Sequence, residues 1–124
     1  MSGKFNQENR PLEIRLIRDE KILEIDFDTG ENFRLPAELL RVESPSAEVQ
    51  GHSPDQKKIV SGRRHVGIMD IKSVGNYAIS IKFDDLHDTG IYTWDTLYKF
   101  GQRQEELWQN YLDSIKKNGL SRDP

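Results

Sequence analysis

Hydrophobic and polar residues alternate in two stretches near the start of the chain. In "LEIRLI" (12–17), Leu12, Ile14 and Leu16 face one way and Glu13 and Arg15 the other. In "KILEIDF" (21–27), Leu23, Ile25 and Phe27 oppose Glu24 and Asp26. Period-two alternation predicts a strand with one buried face, and "RDE" (18–20) reads as the connection between the two. Gly30 in "FDTGENFRL" can take positive φ in a tight turn, so Phe33 and Leu35 are predicted on a third, short strand. Pro36 then opens one or two helical turns reaching Arg41, because its missing N–H has no partner in a first turn anyway. "HVGIMDIKSV" (65–74) and "YAISIKF" (77–83) predict strands joined at Gly75-Asn76, the second with Tyr77, Ile79, Ile81 and Phe83 on one face. "GIYTW" (90–94) predicts a short one. From Asp95 the period becomes helical. Leu97, Phe100, Leu107, Trp108, Tyr111 and Ile115, interrupted by Gly101, predict helices over about 95–100 and 102–117. Glu105 and Glu106 near the start of the second and Lys116 and Lys117 near its end suit the helix dipole, and Gly119 is the expected stop.

The predicted class is therefore α+β: a mainly antiparallel sheet with the C-terminal helices packed on one face. A single domain spans residues 12–118, with residues 1–11 a disordered lead-in and 119–124 a frayed tail. Residues 42–64, rich in Ser, Pro and Gly, read mainly as a long loop, a feature more often functional or disordered than incidental.

Composition narrows the function classes. The 124 residues are 35% hydrophobic and 31% charged, with a net charge of −3. This balance argues against a nucleic-acid partner. No run approaches the length of a membrane span, no apolar core of a signal peptide precedes the domain, and the chain is read as cytoplasmic. It contains no cysteine, which excludes disulfides, thiolate nucleophiles and cysteine-bound zinc or iron–sulfur clusters. No phosphate loop, dinucleotide fingerprint, nucleophile elbow or metalloprotease helix motif is present.

The one concentration of ligand-type side chains is "FDDLHDTG" (83–90). Asp84, Asp85, His87 and Asp88 could hold a divalent cation, or could cap a hairpin corner that returns through Gly90. The spacing lacks the glycine and terminal glutamate of a calcium-binding loop. A convergence of His52, His65 and His87 is the other conceivable metal set. Aromatic residues at helical spacing (Trp94, Tyr98, Trp108, Tyr111) are expected in the core, and an exposed subset of them would mark an interaction surface. Tyr92 and Trp94, with the basic Arg63, Arg64 and His65, are candidates for a partner-binding surface.

"LEIRLIRDEKILEIDFDTGENFRLP", "LRVESPSAEVQGH" and "VGNYAISIKFDDLHDTGIYTWDTLY" together resemble the family DUF971, the gamma-butyrobetaine hydroxylase-like N-terminal domain, over residues 12 to about 112. In the hydroxylases this domain precedes an iron- and 2-oxoglutarate-dependent catalytic domain and holds a structural zinc through three cysteines and a histidine. Laid on "LR-x-x-C-x-C-x-x-C" from Leu40, the cysteine positions fall on Ser44, Ser46 and Val49, and the histidine on His87. The resemblance thus implies a degenerate site: zinc lost, no cofactor, and at most a weak divalent cation near His87. It implies a stand-alone member of bacterial type that lacks the catalytic domain. Its expected function is that of a non-catalytic adaptor for an unknown protein partner, linked by resemblance to iron–sulfur or 2-oxoglutarate-oxygenase systems. The alternative is a small metal-binding protein using His87 and the nearby aspartates. A hydrogen-bond tie from His87 to the Ser44–Ser46 segment is expected in place of the zinc.

Overall fold

Pro11–Ile17 (β1), Ile22–Phe27 (β2) and Asn32–Pro36 (β3) form an antiparallel meander in the order β1-β2-β3. The computed structural model describes residues 9–124. The lead-in assigned to residues 1–11 lies outside the described residues over 1–8, and Pro11 is already paired with Phe27 in β1. Lys21, at φ 58, closes the first turn, and Gly30, at φ 92, the second. Leu23, Ile25, Phe27 and Leu35 are buried, while Arg15 on the opposite face donates to Glu24 (3.1 Å) and Asp26 (2.8 Å). Leu12 departs from the alternation. The register shifts between Pro11 and Glu13, so Leu12 is the extra residue of a bulge and is 73% exposed.

The remaining strands form a second antiparallel meander: Ile68–Val74 (β4), Ala78–Phe83 (β5) and Ile91–Thr93 (β6), in the order β4-β5-β6. The single sheet expected from the pattern is therefore two sheets, and the predicted strand at 65–74 begins only at Ile68. Arg63 to Val66 turn instead, with Val66 N–H donating to the Arg63 carbonyl. Arg18 Nη2 donates to the Met69 carbonyl (2.8 Å) and Lys21 Nζ to the His65 carbonyl (2.8 Å), joining the two meanders. Their inner faces share one core, in which Leu23, Ile25 and Phe27 meet Ile79, Ile81, Phe83 and Tyr92.

Ala37–Val42 (α1) leaves β3 directly, and all six of its residues are buried. Ala47–Gln50 (α2) and a single 3-10 turn at Pro54–Gln56 lie inside the segment expected to be loop. Trp94–Gln102 (α3) and Gln104–Lys117 (α4) close the fold, with Thr93 Oγ1 accepting from the Thr96 N–H at the start of α3. Leu97 of α3 enters the shared core, whereas Tyr111 and Ile115 of α4 pack with Val42 in a smaller cluster.

The interruption read at Gly101 has a packing cause, for the helix continues through it. A Cβ there would stand 2.2 Å from the Phe33 ring, which stacks edge-on with Phe27 and Tyr98. Gly101→Ala gains helix propensity of about 1 kcal/mol but must displace a packed aromatic ring, at about 1–3 kcal/mol. A net loss of stability is expected in urea unfolding; a gain would mean that Phe33 moves aside freely.

Residues 119–124 do not fray. Gly119, at φ 67, ends α4 as the Leu120 N–H reaches the Ile115 carbonyl and the Gly119 N–H the Lys116 carbonyl. The tail then accepts from the Gly62 and Arg64 N–H groups through Ser121 and Arg122. The Arg122 guanidinium forks onto Glu38 (2.9 and 2.7 Å) and lies 5.0 Å from the centre of the Trp108 ring.

Candidate functional site

The stretch 84–90 connects β5 to β6 and is closed largely by its own backbone. The Phe83 N–H donates to the His87 carbonyl (2.9 Å), and the Leu86 N–H donates to the Phe83 carbonyl (3.0 Å) with Leu86 at φ 74. Its carboxylates point to different tasks. Asp84 Oδ2 accepts from the Gly67 N–H (2.9 Å). Asp85 Oδ1 accepts from the His87 N–H (3.2 Å), and its Oδ2 accepts from both Arg41 Nε (2.8 Å) and Arg63 Nε (2.7 Å). Asp88 is exposed. Among the described residues no group of three or more His, Asp or Glu side chains converges where a metal ion could sit, and His52 and His65 lie exposed, apart from buried His87.

The geometry instead turns His87 inward. Its Nε2 lies 3.0 Å from Ser44 Oγ and 3.4 Å from Ser46 Oγ, and the two hydroxyls are 3.2 Å apart. All three residues are buried, Ser44 completely. The tie expected between His87 and the Ser44–Ser46 segment is present as this triangle, which either neutral tautomer of the ring satisfies. Val49 is buried beside it on α2. Around the triangle, Gln50 Nε2 donates to the Ser44 carbonyl (2.9 Å), and the Tyr92 hydroxyl donates to the Leu40 carbonyl (2.6 Å). A Cβ on Gly90 would fall 2.5 Å from Ser44 Oγ, so the return strand passes against the serine.

The electrostatics favour a neutral ring. Burial first, and then the charge of Arg41, hold His87 below the usual imidazole value against the pull of Glu48, Asp85 and Asp88. Burial raises the Asp85 carboxyl, but its bonds from Arg41, from the His87 N–H and from Arg63 outweigh that and keep it low. Burial drives the Tyr92 hydroxyl well above the usual phenol range.

The donor set does not fit a zinc ion of the kind the resemblance implies. Two neutral hydroxyls and the aliphatic Val49 stand at the thiolate positions, leaving one imidazole already engaged by serines. Ser44, His87 and Glu48 do resemble a nucleophile, base and orienting acid in order, with His87 Nδ1 3.9 Å from Glu48 Oε2. That last distance exceeds a hydrogen bond, and Ser44 has no exposed surface.

Two of the residues assigned to a partner surface move. Tyr92 is fully buried in the shared core, because in β6 it is Tyr92 that faces inward opposite Ile79 and Ile91 that faces out. Trp94 is half-buried, its indole N–H donating to the Asn76 carbonyl (2.9 Å). Arg63 is drawn onto Asp85, whereas Arg64, paired with Asp123, and His65 are exposed. Sequence reasoning missed Arg41, buried and salt-bridged to Asp85 across the fold; its only signal was its place beside Leu40 ahead of the serines.

His87→Ala should loosen this region by about 1–3 kcal/mol, the scale of a lost buried hydrogen-bond partner. Amide exchange over residues 42–52 should quicken; unchanged exchange would show that the triangle does not hold the segment. Because the folded state lowers the His87 value, its contribution is complete above about pH 6.5. It declines as the pH falls below that toward the folded value. His87→Gln should flatten this part of the stability–pH curve.

Two solution structures determined by NMR superpose over nearly the whole chain. One is 42% identical with a TM-score of 0.82, covering 94% of this chain and 92% of its own. The other is 44% identical with a TM-score of 0.82, covering 95% and 88%. A crystal structure of a DUF971 protein with unknown function from Acidithiobacillus ferrooxidans ATCC 23270 is 38% identical, with a TM-score of 0.63 over 74% of this chain and 92% of that one. No curated protein matches. The family model "Gamma-butyrobetaine hydroxylase-like, N-terminal" matches residues 14–98, and the chain belongs to that family.

Proposed function

We propose that this chain is a non-catalytic adaptor of the cytoplasm that binds a protein partner. The observation that carries the reading is the burial of the Ser44–Ser46–His87 triangle: the serines and histidine that come within hydrogen-bond reach among the described residues are buried and bonded to one another, with no exposed surface on Ser44. Neighbouring acids are likewise committed, Asp85 to two guanidiniums and Asp84 to a backbone N–H. The family's description, the N-terminal part of a gamma-butyrobetaine hydroxylase-like protein, supports a partner in an oxygenase system; a link to iron–sulfur systems rests on the resemblance alone. Among the described residues no helix is long and apolar enough to cross a membrane.

The surface for such a partner is taken over from Tyr92 by its exposed neighbours. Tyr77 is 51% and Ile91 47% exposed, and the Tyr77 carbonyl accepts from the Trp94 N–H beside them. Exposed large apolar side chains along the β5–β6 pair support an interaction surface there. A photoreactive benzoylphenylalanine in place of Tyr77, irradiated in the source cells, should yield one discrete adduct that Ile91→Asp abolishes. No adduct, or a ladder indifferent to Ile91→Asp, would sink the proposal.

A further inference from the structure

We propose that the cavity between α1, residues 58–63 and the β5–β6 connection binds a small oxyanion, a carboxylate or phosphate group, through Arg41, Arg63 and Lys58. His87 belongs to both the buried triangle and this cavity's wall, but the site needs nothing of the partner surface. The cavity has a volume of about 370 Å³, large enough for a small molecule and too small for an extended one. Arg41, Lys58, Ser61, Arg63 and His87 line it, together with Glu48.

Arg41 carries the argument. Its side chain is only 10% exposed, and a guanidinium cannot shed its charge. Among the described residues its Nη1 is the one buried side-chain nitrogen or oxygen without a hydrogen-bond partner. Such groups call for an occupant, water or an ion. Charge decides between them. Arg41 and Arg63 share a single oxygen of Asp85, both through Nε, so neither terminal fork is spent on a carboxylate. Arg63 Nη1 goes to the Ser61 carbonyl, and Lys58 has no ion pair among the described residues. Glu48 turns its Oε1 to Thr89 and is largely exposed. Three cations thus face two carboxylates. One positive charge is left over in a mainly polar, solvent-open pocket, to whose wall the apolar Val49 and Val60 also contribute. A planar or tetrahedral oxyanion, unlike a spherical halide, matches the directional N–H donors that the guanidiniums keep off carboxylates, among them the unpartnered Arg41 Nη1.

The test uses the full chain, labelled with ¹⁵N, titrated with inorganic phosphate and separately with acetate against sodium chloride at constant ionic strength. Saturable shifts are expected at the Arg41 and Arg63 Nε–H groups and the Ser61 and His87 amides. The tighter of the two probes assigns the group as phosphate or carboxylate. Arg63→Gln should weaken the binding about tenfold or more, as loss of a charge-assisted hydrogen bond does. Lys58→Ala, on an exposed side chain that the fold does not need, should weaken it about threefold. Shifts that never saturate, that spread over the surface cations, or that are the same in Lys58→Ala would overturn the proposal and leave the cavity to water.

Discussion

Asp85→Ala is expected to destabilise the fold by about 2–3 kcal/mol, below the range of about 3–5 kcal/mol for breaking a fully buried ion pair from one side, because the Asp85 side chain keeps 22% of its exposure. Two guanidiniums meet on Asp85, but they do not weigh equally. Arg63 is about one-third exposed, and a half-solvated pair contributes about 1 kcal/mol or less. Arg41 has little access to water and cannot neutralise itself, so removal of Asp85 leaves a buried charge uncompensated. Urea unfolding of Asp85→Ala and Arg63→Ala should therefore separate widely. A loss below about 1 kcal/mol for Asp85→Ala would mean that Arg41 swings out into water. The same pair sets an acid limit. With the Asp85 carboxyl held low in the fold, its contribution is complete above about pH 4. It disappears as the pH falls through the depressed folded-state value.

The second large effect is expected at Arg122. Its fork covers the Glu38 carboxylate, whose side chain is 7% exposed, while Arg122 itself keeps 28%. Arg122→Ala strips that cover and the stack on Trp108 together. A fully buried pair would lose 3–5 kcal/mol; with Arg122 partly solvated, about 2–3 kcal/mol is expected. The Gly62 and Arg64 amides, which donate to Ser121 and Arg122, should lose protection from exchange at the same time. A Glu38→Met, Arg122→Met double variant should recover most of the loss, because apolar side chains of similar volume replace buried ion pairs at little net expense. Failure of the double variant to recover would place the effect in the tail backbone and not in the charges.

Much of the fold was legible because its strands are local and half-buried. "KILEIDF" alternates over its whole length, and each residue faces as the pattern says. "LEIRLI" fails only at Leu12, where one inserted residue turns a side chain outward and no alternation rule can register it. Tyr92 was misplaced for the same reason on a smaller scale. A three-residue strand offers too few positions to fix its phase, and an error of one residue exchanges the two faces. The frayed tail expected over 119–124 is instead held by Arg122 on Glu38, 84 positions away, a tie that nothing local in the sequence announces. His87 and Ser44 are 43 apart; their proximity came from the family resemblance, not from the spacing. Arg41, the charge at the centre of the site, ends the helical turns expected after Pro36, and nothing in its neighbours marks α1 as buried on all sides.

Among the described residues every strand pairs only with a neighbour in sequence, in two three-stranded units. The ties that lock those units to the rest are distant in the chain: Ser44 to His87, Leu40 to Tyr92, Glu38 to Arg122. Short-range pairings close small loops at low entropic expense and can form early, whereas long-range ones are made late. The route to the native state should thus be quick and indifferent to the ties, which act as latches fastened at the end. Substitutions at Ser44, His87 or Arg122 should then shorten the lifetime of the folded molecule while leaving its rate of formation nearly unchanged.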